Sequence, residues 1–250
     1  GADIGSHGTH VCGIIGARSG RETRACFSGV APGVTLFSAR VFPPGVGADQ
    51  GDISSAIEHL SRDHEVDLIN MSLGAKTGSQ VELDAIRDAR ERGTLCICAA
   101  GNSEGPVEFP AAFPETVAVS ALGKLGWGPN GSIPSSRLPQ DPLKFGNENL
   151  YLANFSCFGS KITCSGPGVG VLSSVPERHG LETPYASMGG TSMSSPAVCG
   201  LLAAILDGAE EYKSSPRDET RTALAEQILR DSCVDIGMSG DYQGRGVPVV

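Results

Sequence analysis

Ser192 carries the richest chemistry in the sequence. It stands in Gly-Gly-Thr-Ser-Met-Ser-Ser-Pro (residues 189–196), where a glycine turn gives way to an apolar helical run. The first N–H groups of a helix lack partners within it and carry partial positive charge, so a hydroxyl there sits where a developing oxyanion would be stabilised. A serine in that place is also a common helix cap, and taken alone the residue supports either reading. Pro196 has no N–H, so the hydrogen-bond ladder of this run is interrupted in its first turns. His7 opens a second apolar helical run, Ser-His-Gly-Thr-His-Val-Cys-Gly (residues 6–13). Imidazole is the side chain that most often takes a proton from a hydroxyl nucleophile. His10, three residues on, falls on the inner side of the same turn and reads as a core histidine. Asn102 ends a strand-like run at Ala-Ala-Gly-Asn, a position where asparagine commonly forms a turn.

The elements that position these residues alternate in type. Residues 34–42, 66–74, 94–102 and 116–122 read as strands. Residues 52–64 read as a helix with Ile53, Ile57 and Leu60 on one face and Asp52 as N-cap. Residues 79–93 read as a helix closed by Gly93, residues 191–209 as a buried helix, and residues 218–232 as an amphipathic one. This order predicts an α/β fold with a mostly parallel sheet and helices on both faces. Residues 124–150, rich in turn formers, read as a surface insertion between two strands of one domain spanning 1–250.

Bulk composition narrows the function classes. A chain of 250 residues can bury a substantial core, and its formal net charge of −9 argues against non-specific nucleic-acid binding. No apolar run approaches the roughly 20 residues that cross a bilayer. The 8 cysteines sit in apolar surroundings, which favours buried thiols and leans towards a reducing compartment, though compartment stays open. Cys157 and Cys164 flank a short segment and could pair, whereas Cys96 and Cys98, two apart in a strand, fit a disulfide poorly. Zinc at these cysteines or at His7 and His10 lacks a second Cys-x-x-Cys pair to support it.

Taken together, the three strings resemble the signatures of the subtilase family of serine peptidases. Gly-Thr-Ser-Met followed by proline is similar to its serine signature, and Ser-His-Gly-Thr-His to its histidine signature. The chain order agrees, because no histidine follows Ser192, which excludes the Ser, acid, His order of α/β-hydrolases. The resemblance extends through residues 30–32, 109–114, 166–168 and 244–247, with 124–150 as the main departure. It implies a three-layer α/β/α fold and a serine endopeptidase acting on peptide or protein substrates. Ser192 would be the nucleophile, His7 the base and Asn102 an oxyanion donor. Asn70, Met71, Ser72, Leu73 and Gly74 match the family strand along which an extended substrate pairs, with Ser72, Leu73 and Gly74 supplying the contact and Gly101 beside it. Matching residues 108–114 puts Glu108 at the base of the P1 pocket and Asp3 near the S2 side, so basic substrate residues are expected.

Departures from the family set further expectations. The triad aspartate of subtilases lies well upstream of the histidine, and only six residues precede His7. The acid is therefore expected upstream of residue 1, on the same polypeptide or on a separate N-terminal chain, and a propeptide is a further possible partner. Without the acid the chain would read as a pseudoprotease that binds extended peptides; a precursor-processing subtilase is the enzymatic alternative. No cofactor is expected. The loop at 18–29, where the family binds calcium, holds Arg18, Arg21 and Arg24, and the second place has Lys161 and Thr163 instead of acids.

Overall fold

The structure, a computed structural model, describes residues 6–19, 28–43, 45, 47–127, 136–177 and 183–250. Its central sheet contains β1 (Leu68–Met71), β2 (Leu95–Ala99), β3 (Val117–Lys124), β4 (Leu150–Leu152) and β5 (Cys164–Pro167). The pairs β1–β2, β2–β3 and β3–β5 are parallel, and β4 returns antiparallel on β3. Helices cover both faces, so the expected three-layer architecture is present.

Period-two alternation on β2 shows why the layers form. Every residue of β2 is buried. Leu95 and Ile97 pack with Val198, Leu202 and Leu206 of α4 (Thr191–Gly208) and Leu229 of α6 (Glu219–Asp231). Cys96 and Cys98 point the other way, to Ile53 and Ile57 of α2 (Gln50–Arg62) and to Ala85, Ile86 and Ala89 of α3 (Gln80–Glu91). Each fully buried leucine or isoleucine contributes about 1.5–3 kcal/mol relative to exposure. Local signals fix the helix ends. Asp49, not Asp52, caps α2, accepting from the Gly51 N–H at 2.8 Å, while Asp52 lies in the first turn. Gly93 follows α3 with φ +80°, as its place after the periodic run predicts.

Residues 34–42 do not form a strand. They enter no strand pairing, and Leu36, Phe37 and Phe42 are exposed. Alternating apolar residues make a strand only when a neighbour takes up their backbone groups. Here β1 pairs only with β2 among the described residues, and a groove of about 1700 Å³ runs beside it. His7, Ile15, Val41, Leu68, Met71 and Leu206 are among its lining residues.

The described part of 124–150 is more than surface. It makes short helical turns at Pro142–Lys144 and Asn147–Asn149 before entering β4. The Lys144 side chain is buried, its Nζ 2.8 Å from Glu104 Oε1 and 4.8 Å from the centre of the Phe158 ring. The described cysteines are all free thiols. Cys157 and Cys164 are not joined, and Cys157 lies 3.3 Å from Ser103 Oγ. Burial pushes Cys96 and Cys199 up to about 12.

Candidate active site

The nucleophile candidate sits at the head of α4, but it does not cap it. The N-cap is Gly190, with φ 155° and no side-chain cap bond, which leaves the Ser192 hydroxyl uncommitted to that role. Pro196 cannot donate to the carbonyl four residues back, that of Ser192. Ser72 Oγ takes that place, donating to Ser192 O at 2.8 Å. Ser72 Oγ also lies 3.1 Å from Ser195 Oγ and accepts from Asn70 Nδ2 at 3.0 Å. The half-buried Ser192 turns its own Oγ towards Ser72 O at 3.5 Å, long for a hydrogen bond. Ser72 therefore anchors the head of α4 through its side chain, a role sequence reading missed. The signal was present in the ladder break that Pro196 imposes.

Asn102 follows β2 and lies against the same turn. Its Oδ1 accepts from Thr191 N at 2.9 Å and from Thr191 Oγ1 at 3.1 Å. Thr191 Oγ1 in turn accepts from the buried Gly101 N–H at 3.1 Å. With the amide oxygen held from behind, Nδ2 is left as the outward donor. It lies beside Gly190, where an added Cβ would meet it at 3.5 Å.

His7 opens α1 (His7–Gly16), which packs along α4. Val11 and Ile14 cluster with Met193 and Ala197, and further on Ile15 lies against Gly200. Contacts advance in the same direction on both helices, so α1 and α4 run parallel. Their N-termini, bearing His7 and Ser192, lie at the same end. Ser72 after β1 and Asn102 after β2 come to that end too, at the carboxyl ends of parallel strands where such sheets bind ligands. His10 is fully buried and hydrogen-bonds Val171 O at 3.1 Å and Ala186 O at 3.0 Å through Nε2. Burial lowers its pKa below the ordinary 6.5, so the ring is a neutral structural donor to the hairpin of β6 (Val171–Ser174) and β7 (Tyr185–Met188).

Gly74, Gly101 and Glu108 meet beside this end. A Cβ on Gly101 would fall 2.6 Å from Glu108 Cδ, and one on Gly74 3.0 Å from Glu108 Oε2. Gly101 has φ +108°, a conformation side chains avoid. Ser103 Oγ donates to Glu108 Oε1 at 2.7 Å, and backbone bonds between Ala75 and Phe109, both 2.8 Å, tie the two segments together. The carboxylate thus occupies the space between the two glycines. Leu73 is half-buried against the α2–α3 layer. Asp3 lies outside the described residues, as does most of the 18–29 loop. Thr163 uses its hydroxyl on the Ala118 N–H at 3.1 Å. Among the described residues no three His, Cys, Asp or Glu side chains gather as a metal site, and no helix is long and apolar enough to cross a membrane.

The fold is of the α/β/α class, with Ser72, Asn102 and Ser192 gathered at the carboxyl end of its parallel strands. Comparison with known proteins gives the family. The Subtilase family profile matches residues 1–243. The minor extracellular protease Epr of Bacillus subtilis (strain 168) is 29% identical over 99% of this chain, which spans 32% of Epr. The halolysin-like extracellular serine protease Nep of Natrialba magadii is 34% identical over 96% of this chain, which spans 37% of Nep. Among solved structures, sphericase superposes with a TM-score of 0.77 at 27% identity, covering 99% of this chain and 78% of its own. The chain belongs to the subtilase family. It spans about a third of the length of Epr and Nep.

Proposed function

We propose that this chain carries the reaction centre of a serine endopeptidase that cleaves extended peptides after basic residues. The observation that supports this most is the Asn102 amide, pinned through its oxygen to Thr191, the residue before Ser192. In the mechanism, the substrate pairs with the backbone of Ser72, Leu73 and Gly74. His7 takes the Ser192 proton as the hydroxyl attacks the scissile carbonyl. The Asn102 Nδ2 and N–H groups at the head of α4 hold the oxyanion. His7 then protonates the leaving amine, and water releases the acyl-enzyme.

Specificity rests on Glu108, whose carboxylate lies between Gly74 and Gly101. A lysine or arginine side chain entering there would meet a charge at roughly 4 Å. At an effective dielectric constant of about 20 that is worth up to about 4 kcal/mol, reduced by solvent at a half-open site. A panel of peptides varied only at P1 tests the proposal on the full-length protein. Best cleavage after Lys or Arg, lost in Ser192→Ala and moved towards apolar P1 residues in Glu108→Gln, is expected. Best cleavage after Leu or Phe in the parent enzyme would refute the basic preference. No cleavage of any peptide by the folded protein would refute the activity.

A further inference from the structure

Two histidines meet where α2 ends. β1 begins at Leu68, just after them, so the pair lies at the amino end of the strands, opposite the end that holds Ser72 and Asn102. His59 Nε2 is 3.2 Å from His64 Nε2, with the rings at 82° to one another. Both rings are held in place. His59 Nδ1 is 2.6 Å from Asp63 Oδ2, and His64 stacks on Phe37 with ring centres 4.2 Å apart.

Regular helix geometry does not produce this meeting, because residues five apart on a helix stand about 140° apart around its axis. α2 stops at Arg62 and the chain folds back. Val66 N donates to Leu60 O at 3.2 Å, and Glu65 takes φ +47°, a left-handed conformation that residues other than glycine rarely adopt. The turn that returns His64 to His59 therefore places a strained residue directly beside the pair.

We propose that His59 and His64 form a binding site for a divalent transition-metal ion of the zinc type, with Asp63 orienting His59 from behind. The separation fits. Two nitrogens on one tetrahedral zinc at ~2.0–2.1 Å lie about 3.3 Å apart, and the Nε2 atoms are 3.2 Å apart. The tautomer fits as well. With Nδ1–H donating to the Asp63 carboxylate, the neutral His59 ring has its lone pair on Nε2. A carboxylate on the far nitrogen is the usual companion of a metal-bound histidine, because it fixes the ring and raises its basicity. Imidazole donors suit zinc, copper and nickel, whereas calcium and magnesium prefer oxygen.

As a bare pair, His64 Nε2–H donates to His59 Nε2. The metal ion takes the place of that proton, and the neutral His64 ring then carries its proton on Nδ1. The chain supplies two ligands, and water completes the tetrahedron. Both rings are exposed, so the ion enters directly from solvent. His64 and Phe37 also line the groove beside β1. A metal that fixes the His64 ring therefore steadies residues 34–42, through Phe37, against the end of α2.

The test titrates zinc chloride into the full-length protein by calorimetry, after its accessible thiols have been alkylated. A zinc site that disappears in His59→Ala and in His64→Ala is expected. Asp63→Asn should weaken it roughly 10–100-fold. Zinc should raise the melting temperature of the parent and leave that of His64→Ala unchanged. X-ray absorption of the zinc form should show imidazole ligands without sulfur. All three side chains are exposed, so the variants should keep the parent's urea midpoint. Zinc held equally well by His64→Ala, or zinc held through sulfur, would overturn the proposal. So would a parent that binds no zinc, which would leave the pair as a hydrogen bond only.

Discussion

Thr191→Val separates the support of the proposed oxyanion donor, Asn102, from the donor itself. Thr191 is fully buried, and its hydroxyl both donates to Asn102 Oδ1 at 3.1 Å and accepts from Gly101 N at 3.1 Å. Valine keeps the shape and removes both bonds. The buried Gly101 N–H then has no acceptor, at a cost of about 1–3 kcal/mol of stability. For catalysis the ceiling is loss of the whole amide, about 10²–10³ in turnover, a figure that belongs to subtilisin's own asparagine and is carried over to Asn102. The backbone N–H of Thr191 still holds Oδ1 at 2.9 Å. About half the restraint survives, so kcat should fall roughly tenfold, equivalent to about 1.4 kcal/mol. KM should barely change, because the donor acts on the transition state more than on the bound peptide. Thr191→Ser keeps the hydroxyl and should restore most of the loss. The assay is kcat and KM on the full-length enzyme, with urea unfolding of each variant. A folded Thr191→Val enzyme with kcat within about twofold of the parent would refute the reasoning, as would an equal loss in Thr191→Ser.

Other residues give equally direct expectations. Ser72→Ala leaves the Ser192 carbonyl without its donor and should cost about 1–3 kcal/mol of stability with a lower kcat; an unchanged urea midpoint would show that Pro196 is compensated elsewhere. Glu82 is buried in the first turn of α3, its Oε1 has no partner, and burial raises it from 4.5 to about 6. With the folded pKa above the unfolded one, the folded state loses stability as pH rises from about 4.5 to 6 and carries a cost of about 2 kcal/mol above that window. Glu82→Gln should therefore melt higher than the parent near neutrality and equally near pH 4, and a pH-independent difference would contradict the assignment. The Lys144–Glu104 pair is lopsided, with side-chain exposures of 5% and 56%. Glu104→Gln, which strands a buried ammonium, should destabilise more than Lys144→Met, which removes it; chemical unfolding showing the reverse order would contradict this.

Candidate residues that lie within a short string were legible in the sequence. Ser192, His7 and Asn102 sit in motifs whose turn, helix and strand signals are local, and the structure carries each to the same end of the sheet. The strands at 95–99 and 117–124 and the helices α2, α3, α4 and α6 followed from apolar period, with ends off by a few residues. What depends on a distant partner was hidden. Residues 34–42 have a strand's side-chain pattern, but pairing, which the pattern cannot supply, decides the backbone state. Ser72 reads as part of a substrate strand, and only the fold shows its hydroxyl on the carbonyl that Pro196 frees. Lys144 lies in the turn-rich stretch read as a surface insertion, yet its side chain is buried beside Glu104 and Phe158.

Labelling with a fluorophosphonate probe tests the central claim most directly, because the probe reacts only with a serine whose base and oxyanion donors are both in place. On the full-length protein the account predicts labelling that maps to Ser192, is abolished in Ser192→Ala and His7→Ala, and is strongly slowed in Asn102→Ala. A folded full-length protein that takes no label, or one labelled at a serine other than Ser192, would contradict it.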